Sequence, residues 1–244
     1  MTRSDAPNPP EPDELQRFIY AASHDLNEPL RKIQAFGDRL ADRYREMLPE
    51  EGQDYLDRMQ SATARIQSLL AGLLELSRVS TRAREPVWCD LNEMIERVAQ
   101  GLARNIKEGD ASLEFADLPA IHGQQEHLVH LFHCLIDNAL KFARADVTPC
   151  IRIGASLQQG ALEITIADNG IGFPADQAER IFGPFARLHA RHEYAGAGMG
   201  LAIARKIASV HAGTLVAEGR TGEGTRLTLW LPQPPQSDAK PTPD

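Results

Sequence analysis

Apolar residues recur every three or four positions over the first third of the chain, which is the spacing of an amphipathic helix. The first series extends over about residues 13–47 and comprises Leu15, Phe18, Ile19, Ala22, Leu26, Leu30, Ile33, Phe36, Leu40 and Tyr44. The sequence LPEEG at residues 48–52 predicts a break. A second series then alternates steps of three and four, as in a heptad seam, through Leu56, Met59, Thr63, Ile66, Leu70, Leu73 and Ser77. Residues 13–84 are therefore predicted to form a helical hairpin.

A single hairpin of this kind buries only one stripe on each helix and has little core of its own. Pairing two hairpins in a four-helix bundle supplies the missing core, so we expect a homodimer through residues 13–80. In the alternative, the hairpin packs against the domain that follows it in the same chain. We favour the dimer, partly because of the family resemblance described below.

Residues 85–233 show a different pattern and are predicted to form a second domain. Helices are expected at about 90–109, 124–142 and 199–211, and strands at 87–89, 112–115, 120–122, 150–157, 161–167, 214–217 and 225–231. Asp90, followed by Glu93, has the spacing of a capping box. Helices mixed with antiparallel strands predict an α+β two-layer sandwich. Residues 1–12 and 234–244 are rich in proline and polar residues, and we expect disordered tails or linkers there.

The composition excludes several classes of protein. The 244 residues carry a net charge of −8, which argues against nucleic-acid binding. No run of eighteen apolar residues exists and the first residues lack the apolar core of a signal peptide, so we expect no membrane insertion. Cys89, Cys134 and Cys150 are scattered and odd in number, which favours a reducing cytoplasm.

His24 is the first candidate for chemistry. In a helix, it would lie roughly 200° from the apolar Ala22, on the solvent face, with Asp25 as its neighbour and Pro29 about one turn further on. An exposed imidazole beside a carboxylate, next to a kink, is suited to a nucleophile that another domain must reach. The plainer reading is an ordinary surface histidine. On this stretch alone, the plainer reading is favoured.

Four segments of the second domain together indicate a nucleotide site. Asn138 and Lys141 lie about one turn apart near the end of a predicted helix. Asp168 ends a predicted strand, and Gly170 and Gly172 follow, so backbone can approach a flat ligand while the carboxylate accepts its amino hydrogens. The aromatic pair Phe182 and Phe185 follows, and a glycine-rich turn over residues 196–201 opens a helix whose N–H groups favour phosphate. Each segment alone is weak, since glycine-rich loops are commonly only turns.

The segment from 187 to 197 is rich in arginine, histidine, alanine and glycine. It contains little that could pack, so we interpret it as a mobile lid over the phosphates. Arg187 and Arg191 are its candidate charge partners for the ligand.

These motifs resemble a known family. LIDNALKF, DNGIGF, IFGPFARLH and GAGMGLAIARKI resemble the N, first-glycine, F and second-glycine boxes of histidine kinase ATP-binding domains. SHDLNEPLRKI resembles the H box of the dimerisation and phosphotransfer domain of the same family. The resemblance covers about residues 15–232, with both halves in the family's order. The amino-acid sequences of these motifs are most similar to those of the phytochrome-like and PAS-linked branch of the family.

The resemblance implies a function for each motif. His24 would attack the γ-phosphate of ATP, and Asp25 would accept the proton from its other ring nitrogen. Asp168 would hold the adenine amino group in a pocket shaped by Gly170 and Gly172. The remaining site residues would hold the phosphates and Mg²⁺: Asn138 (also the metal ligand), Lys141, Arg187, Gly196, Gly198, Met199, Gly200 and Leu201. The phosphoryl group would pass to the receiver domain of a response regulator, and a sensor module would lie upstream or on a separate protein.

Two positions depart from the family pattern. Cys134 stands four residues before Asn138, where the family usually has a polar residue near the metal, and a thiol is a poor ligand for Mg²⁺. Glu28 stands four residues after His24, where members with phosphatase activity often have Thr or Asn. A carboxylate cannot donate a hydrogen bond to a water, so we expect weak phosphatase activity.

His127, His130 and His133 recur every three residues beside Cys134, which suggests a metal site. The alternative, a polar helix face with some packed histidines, is strongly favoured because no carboxylate or second cysteine completes the set. Cys89 and Cys150 are expected to be packing residues.

Three functions are compared. The leading hypothesis is an ATP-dependent protein-histidine kinase core of a two-component system. The alternative is a dimeric histidine phosphotransfer protein with a non-catalytic nucleotide domain, against which the intact nucleotide motifs argue. The third is an ATPase-like interaction module of the gyrase and chaperone superfamily, in which His24 and Asp25 would have no role.

Overall fold

The computed structural model describes residues 12–79, 85–115, 117–158, 160–189, 193–194 and 196–234, and for residues 12–22 and 24 it describes the backbone only. The chain divides into two compact units, Met1–Ser77 and Arg78–Asp244. The predicted tails at 1–12 and 234–244 lie outside the described residues except for Pro12, which begins the first helix, and Pro234.

The first unit is a helical hairpin. Helix α1 spans Pro12–Tyr44 and includes Pro29, a 3₁₀ turn follows at Arg45–Met47, and helix α2 spans Glu50–Arg78. The break falls where the sequence predicts it, because Leu48 turns to an extended conformation just before Pro49. Glu50 and Glu51 occupy the first turn of α2, where their negative charge interacts favourably with the positive end of the helix dipole.

The apolar series of each helix divides into a buried and an exposed stripe, each with seven-residue spacing. Within the hairpin, α1 buries Leu30 and Gly37, and α2 buries Leu56, Thr63 and Leu70. Gly37 allows close packing, since a Cβ there would lie 3.1 Å from Cγ of Gln60. The second stripe is exposed and consists of Leu26, Ile33 and Leu40 on α1 with Met59 and Ile66 on α2. The contact between α1 and α2 thus leaves this second stripe uncovered, including Met59 and Ile66 of the predicted heptad seam.

In its described residues, the second unit has four helices and seven strands. The helices are α3 (Leu91–Gly101), α4 (Ala103–Glu108), α5 (Gln125–Lys141) and α6 (Gly200–Val210). The strands are β1 (Val87–Cys89), β2 (Ser112–Glu114), β3 (Ile121–Gly123), β4 (Cys150–Gln158), β5 (Ala161–Asp168), β6 (Thr214–Arg220) and β7 (Gly224–Pro232). Single 3₁₀ turns occur at Ala175–Gln177 and Arg180–Phe182.

Five strands form one sheet in the order β2-β4-β5-β7-β6, and β1 pairs with β3 in a separate antiparallel ladder. The core lies between this sheet and the helices, where side chains of β5 alternate: Leu162, Ile164 and Ile166 are buried. Helix α5 supplies a fully buried Phe132 and Leu135. The predicted α+β two-layer sandwich after a helical hairpin is confirmed.

Two details differ from the sequence predictions. The helix predicted over 90–109 is two helices separated at Leu102, which lies outside helical geometry at φ −101°, ψ 9° and serves as the cap of both. Strand β2 pairs with β4 in parallel rather than antiparallel. The predicted cap is present, because Asp90 accepts hydrogen bonds from the backbone N–H groups of Asn92 and Glu93.

No helix in the described ranges is long and apolar enough to span a bilayer.

Candidate functional site

Asp168 stands at the last position of β5, and its carboxylate is held by backbone. The N–H groups of Gly170 (2.8 Å) and Thr225 (3.1 Å) both donate to Oδ1 of Asp168. Burial raises the pKa of this carboxyl group, and the two backbone hydrogen bonds oppose that rise. Because both donors use Oδ1, the second oxygen is available to accept hydrogens from a ligand. Thr225, which lies 57 residues further along the chain, is a member of the site that the motifs did not reveal.

The loop after Asp168 is so close to neighbouring backbone that side chains are excluded. Gly172 has a φ of +60°, and a Cβ there would lie 2.0 Å from the carbonyl oxygen of Arg220. A Cβ on Gly170 would lie 2.4 Å from the carbonyl oxygen of Phe142, which also accepts a 2.9 Å hydrogen bond from the Ile171 N–H. The loop is therefore fixed between the end of α5 and the β6–β7 turn.

Asn169, which lies between Asp168 and Gly170, has a structural role. Its Oδ1 accepts a hydrogen bond from the Cys150 N–H at 2.8 Å, and its Nδ2 donates to the carbonyl oxygen of Thr148 at 2.9 Å. These bonds tie the loop to the start of β4. The amide thus orients the backbone that presents Asp168.

The last turn of α5 carries Asn138 and Lys141. Burial is the largest effect on the pKa of Lys141 and lowers it; the nearby cation Arg187 lowers it further. A Cβ on Gly196 would lie 2.8 Å from Nζ of Lys141, so the helix end and the glycine-rich segment are adjacent. The side-chain amide of Asn138, half-buried, makes no hydrogen bond within the described part of the chain. Both side chains can therefore interact with a ligand.

The start of α6 brings the other predicted phosphate-binding residues to the same region. Gly198 has a φ of +73°, and a Cβ there would lie 2.7 Å from the carbonyl oxygen of Ala186. Met199 is buried, whereas Leu201 is half-buried. A Cβ on Gly200 would meet Cβ of Cys134 at 3.8 Å, an ordinary contact that places the thiol residue beside this helix start.

The described part of the segment that precedes α6 includes two aromatic side chains with ring contacts, which the sequence did not lead us to expect. Its Tyr194 and His189 rings lie 4.9 and 6.0 Å from the Phe142 ring, measured between centroids, and 5.5 Å from each other. The Arg187 guanidinium donates to the carbonyl oxygens of Tyr194 and Gly196. Aromatic rings from three separate positions thus form a cluster at the end of α5. Arg191, the second predicted charge partner, lies outside the described residues.

The backbone of His24 lies within α1, but its imidazole, and with it the predicted exposure, is outside the described residues. Asp25 beside it is exposed. Glu28 forms an ion pair with Lys32 at 2.6 Å, one turn further on, and both side chains are exposed. The expectation of weak phosphatase activity stays a prediction.

Metal-binding residues were also predicted. Across the described ranges, no three side chains of His, Cys, Asp or Glu are grouped so that they could hold a metal ion. Of the three histidines on α5, His127 and His130 are half-buried and His133 is exposed. Asn138 offers an amide oxygen, which suits Mg²⁺ held jointly with phosphates, whereas the Cys134 thiol does not.

Two family models match the chain. Residues 14–82 match the His Kinase A (phospho-acceptor) domain. Residues 123–235 match the histidine kinase-, DNA gyrase B-, and HSP90-like ATPase.

Named relatives and solved structures agree with these matches. Phytochrome-like protein Cph1 of Synechocystis sp. is 36% identical over 219 residues, which are 90% of this chain and 29% of that protein. The methanogenesis regulatory histidine kinase FilI of Methanothrix harundinacea is 29% identical over 91% of this chain and 25% of its own length. Full-length ShkA in complex with AMPPNP has the same fold, with a TM-score of 0.65 and 23% identity over 89% of this chain and 46% of that chain. The chain thus spans under a third of the length of these curated relatives.

The chain thus carries, in this order, a helical segment that matches a phospho-acceptor domain model and an α+β segment that matches an ATPase model. The chain belongs to the histidine kinase family. The predicted family, including its likeness to phytochrome-like kinases, is confirmed.

Proposed function

We propose that this chain is the ATP-dependent autokinase core of a two-component system, with residues 13–84 as its phosphotransfer hairpin and residues 85–233 as its ATP-binding domain. The observation that carries the proposal is the Asp168 carboxylate, held by two backbone N–H groups at a strand end on the same chain as a phosphoacceptor-type helix. No observation favours the phosphotransfer protein with a non-catalytic nucleotide domain.

In this proposal, Asp168 accepts a hydrogen from the adenine amino group, and Gly170 and Gly172 keep the pocket wall thin enough for a flat base. Lys141 and Arg187 neutralise phosphate charge. Arg187 would exchange its carbonyl partners for phosphate oxygens, which are better acceptors for a guanidinium. The remaining phosphate contacts come from backbone at residues 196–201, including Gly196, Gly198, Met199, Gly200 and Leu201, at the start of α6.

Asn138 would supply an amide oxygen to Mg²⁺, an ion that lessens the charge of the phosphates when bound. Such phosphoryl transfer depends mainly on positioning and electrostatics.

In the transfer step, a ring nitrogen of His24 forms a bond to the γ-phosphorus while the bond between that phosphorus and the bridging oxygen of ADP breaks. Asp25 accepts the proton from the other ring nitrogen, which keeps the attacking nitrogen nucleophilic. The phosphoryl group then passes to a carboxylate on the receiver domain of a response regulator. A sensor module, upstream or separate, would control the reaction, and we propose a cytoplasmic location.

We also propose that two hairpins pair. The exposed stripe of Leu26, Ile33 and Leu40 on α1, with Met59 and Ile66 on α2, has the seven-residue spacing of a bundle core. Burying it against a second copy would give the four-helix bundle that the sequence predicts.

The test incubates the protein with γ-labelled ATP and compares wild type with His24→Ala. We expect acid-labile, base-stable label in the wild type and none in the variant. His133→Ala is the matched control, because His133 is an exposed histidine on α5, and it should label like the wild type. Label that persists in His24→Ala would contradict the proposal.

A further inference from the structure

His211, directly after α6, makes two hydrogen bonds to backbone. The Gln124 N–H donates to its Nε2 at 3.0 Å, and its Nδ1 lies 2.8 Å from the carbonyl oxygen of Ile207. A carbonyl oxygen can only accept, so Nδ1 must carry a hydrogen. An N–H can only donate, so Nε2 must keep its lone pair. The geometry therefore requires a neutral imidazole with its hydrogen on Nδ1.

This imidazole joins the two helices that carry the nucleotide site. Gln124 caps the start of α5, the helix that ends in Asn138 and Lys141. Ile207 lies in the last turn of α6, the helix that begins beside Gly198. The single ring thus spans from the far end of one site helix to the far end of the other, and α5 packs directly on α6.

The surrounding residues are shaped for the ring. A Cβ on Gly123 would lie 3.0 Å from Cδ2 and 3.1 Å from Nε2 of His211, and 2.7 Å from a methyl group of Leu128. Any other residue at 123 would displace the imidazole or Leu128. The glycine is explained by this close approach, for which the motifs gave no signal.

A second imidazole, on α5, lies beside this ring. The His127 ring lies edge-on to His211 at 6.1 Å between centroids. Burial, followed by His211 and His130, lowers the pKa of His127, and Glu126 opposes this effect. Nδ1 of His127 is buried without a hydrogen-bond partner among the described residues. The two imidazoles thus lie next to each other between the start of α5 and the end of α6.

We propose that His211 is a positioning residue for the nucleotide site: its neutral imidazole bridges Gln124 and Ile207, holds α5 against α6 and thereby supports nucleotide binding. The inference rests on the proposed ATP site. Without an acceptor at position 211, the hydrogen bond from the Gln124 N–H to this ring is lost and the contact between the two helices is weakened.

The test measures ADP binding to the full chain by calorimetry at pH 7.5. We compare wild type with His211→Leu, which cannot accept a hydrogen bond from Gln124, and with His211→Gln, whose side-chain oxygen can accept it. Loss of one backbone hydrogen bond corresponds to about a five- to tenfold loss of affinity, which is the loss we expect for His211→Leu. We expect His211→Gln to bind within about threefold of wild type.

His133→Leu changes an exposed histidine on α5 and should keep the wild-type affinity. Circular dichroism verifies that each variant is folded. A folded His211→Leu protein that binds ADP as tightly as wild type, or a His211→Gln protein that binds as weakly as His211→Leu, would overturn the proposal.

A second readout is independent of nucleotide binding. Nitrogen NMR of the wild-type imidazole at pH 7.5 should show an unprotonated Nε2 and a protonated Nδ1, and the Gln124 amide should exchange faster in His211→Leu than in wild type. A charged ring or an Nε2–H tautomer at pH 7.5 would refute the inference even if ADP binds normally. If ADP does not bind to wild type at pH 7.5, the proposed function fails, while the NMR result still decides the role of His211.

Discussion

At the scale of single residues, the site contains a carboxyl group, that of Asp168, whose burial disfavours its ionised form. Asp168 is held mostly away from solvent, and burial shifts its pKa upward, so the folded chain favours the protonated form more than the unfolded chain does. The free energy of unfolding therefore decreases as the pH rises through the pKa that Asp168 has in the folded protein. Because this buried carboxylate lowers stability at neutral pH, its presence is more consistent with a role in ligand binding than with a structural role.

Asp168→Asn should therefore separate binding from stability. The amide oxygen can still accept from Gly170 and Thr225, but its NH₂ group would face the adenine amino group, donor against donor. We expect ATP affinity to fall about 10- to 100-fold, the equivalent of one hydrogen bond to a charged group, while the melting temperature is unchanged or raised. Calorimetry and thermal melting measure the two effects, with the exposed Asp176→Asn as control. Unchanged affinity would exclude Asp168 from the site.

His127 predicts how stability depends on pH. Burial lowers its pKa, so between that value and the ordinary value of about 6.5 the unfolded chain binds a proton that the folded chain does not. Stability from this group is fully present above about pH 6.5 and is lost as the pH falls below it. The free energy of unfolding, measured with urea at several pH values from 7.5 to 5.0, should change less with pH in His127→Leu than in wild type. The exposed His133→Leu should keep the wild-type dependence on pH, and the same dependence in all three proteins would contradict the prediction.

At the scale of elements, the loop that follows Asp168, residues 169–172, is held in place by contacts with neighbouring backbone segments. Gly172 lies against Arg220, which belongs to β6, and Gly170 lies against Phe142 at the end of α5. A change there cannot be absorbed by rotation of a side chain. The loop is consequently rigid where it must hold Asp168.

Gly172→Ala should be severely destabilising. The φ of +60° is unfavourable for alanine, and its Cβ would lie 2.0 Å from a backbone oxygen, so β6 or the loop must shift. We expect a loss of about 3 kcal/mol or more in the free energy of unfolding. Gly101→Ala at the end of α3 is the control, because no atom lies within 4 Å of its Cβ, and it should be neutral or slightly stabilising. Chemical denaturation gives both values.

The sequence predicts the elements better than their partners. Periodicity located both helices of the hairpin, and the strand-acid-glycine pattern located Asp168, because such signals are local. Thr225 completes the Asp168 site through a strand pairing 57 residues away, and no local pattern encodes that contact. The Phe142, His189 and Tyr194 cluster was missed for the same reason. A segment of small and charged residues gives no apolar periodicity even where two of its rings pack on a third.

At the scale of the whole molecule, the hairpin has more apolar surface than its two helices bury against each other. Ile33 and Leu40 are exposed to 42% and 43%, and Ile66 on α2 to 44%, although each has the heptad spacing of a core position. Exposed apolar stripes of this length mark an interaction surface. The seven-residue spacing favours a partner with the same spacing, which a second copy of the chain provides.

Ile33→Asp should therefore separate the proposed dimer without unfolding the hairpin, since Leu30, Leu56 and Leu70 form its internal contacts. Two-fold symmetry introduces the change twice, and two isoleucine side chains represent about 4 kcal/mol of burial, or roughly a thousandfold in the dissociation constant. Sedimentation equilibrium, with circular dichroism to verify the helices, measures this shift. Ala35→Glu adds an acid to an exposed position on the other side of α1 and should remain as associated as wild type. A monomeric wild type, or an Ile33→Asp protein that associates as strongly as wild type, would show that the exposed stripe has a different partner.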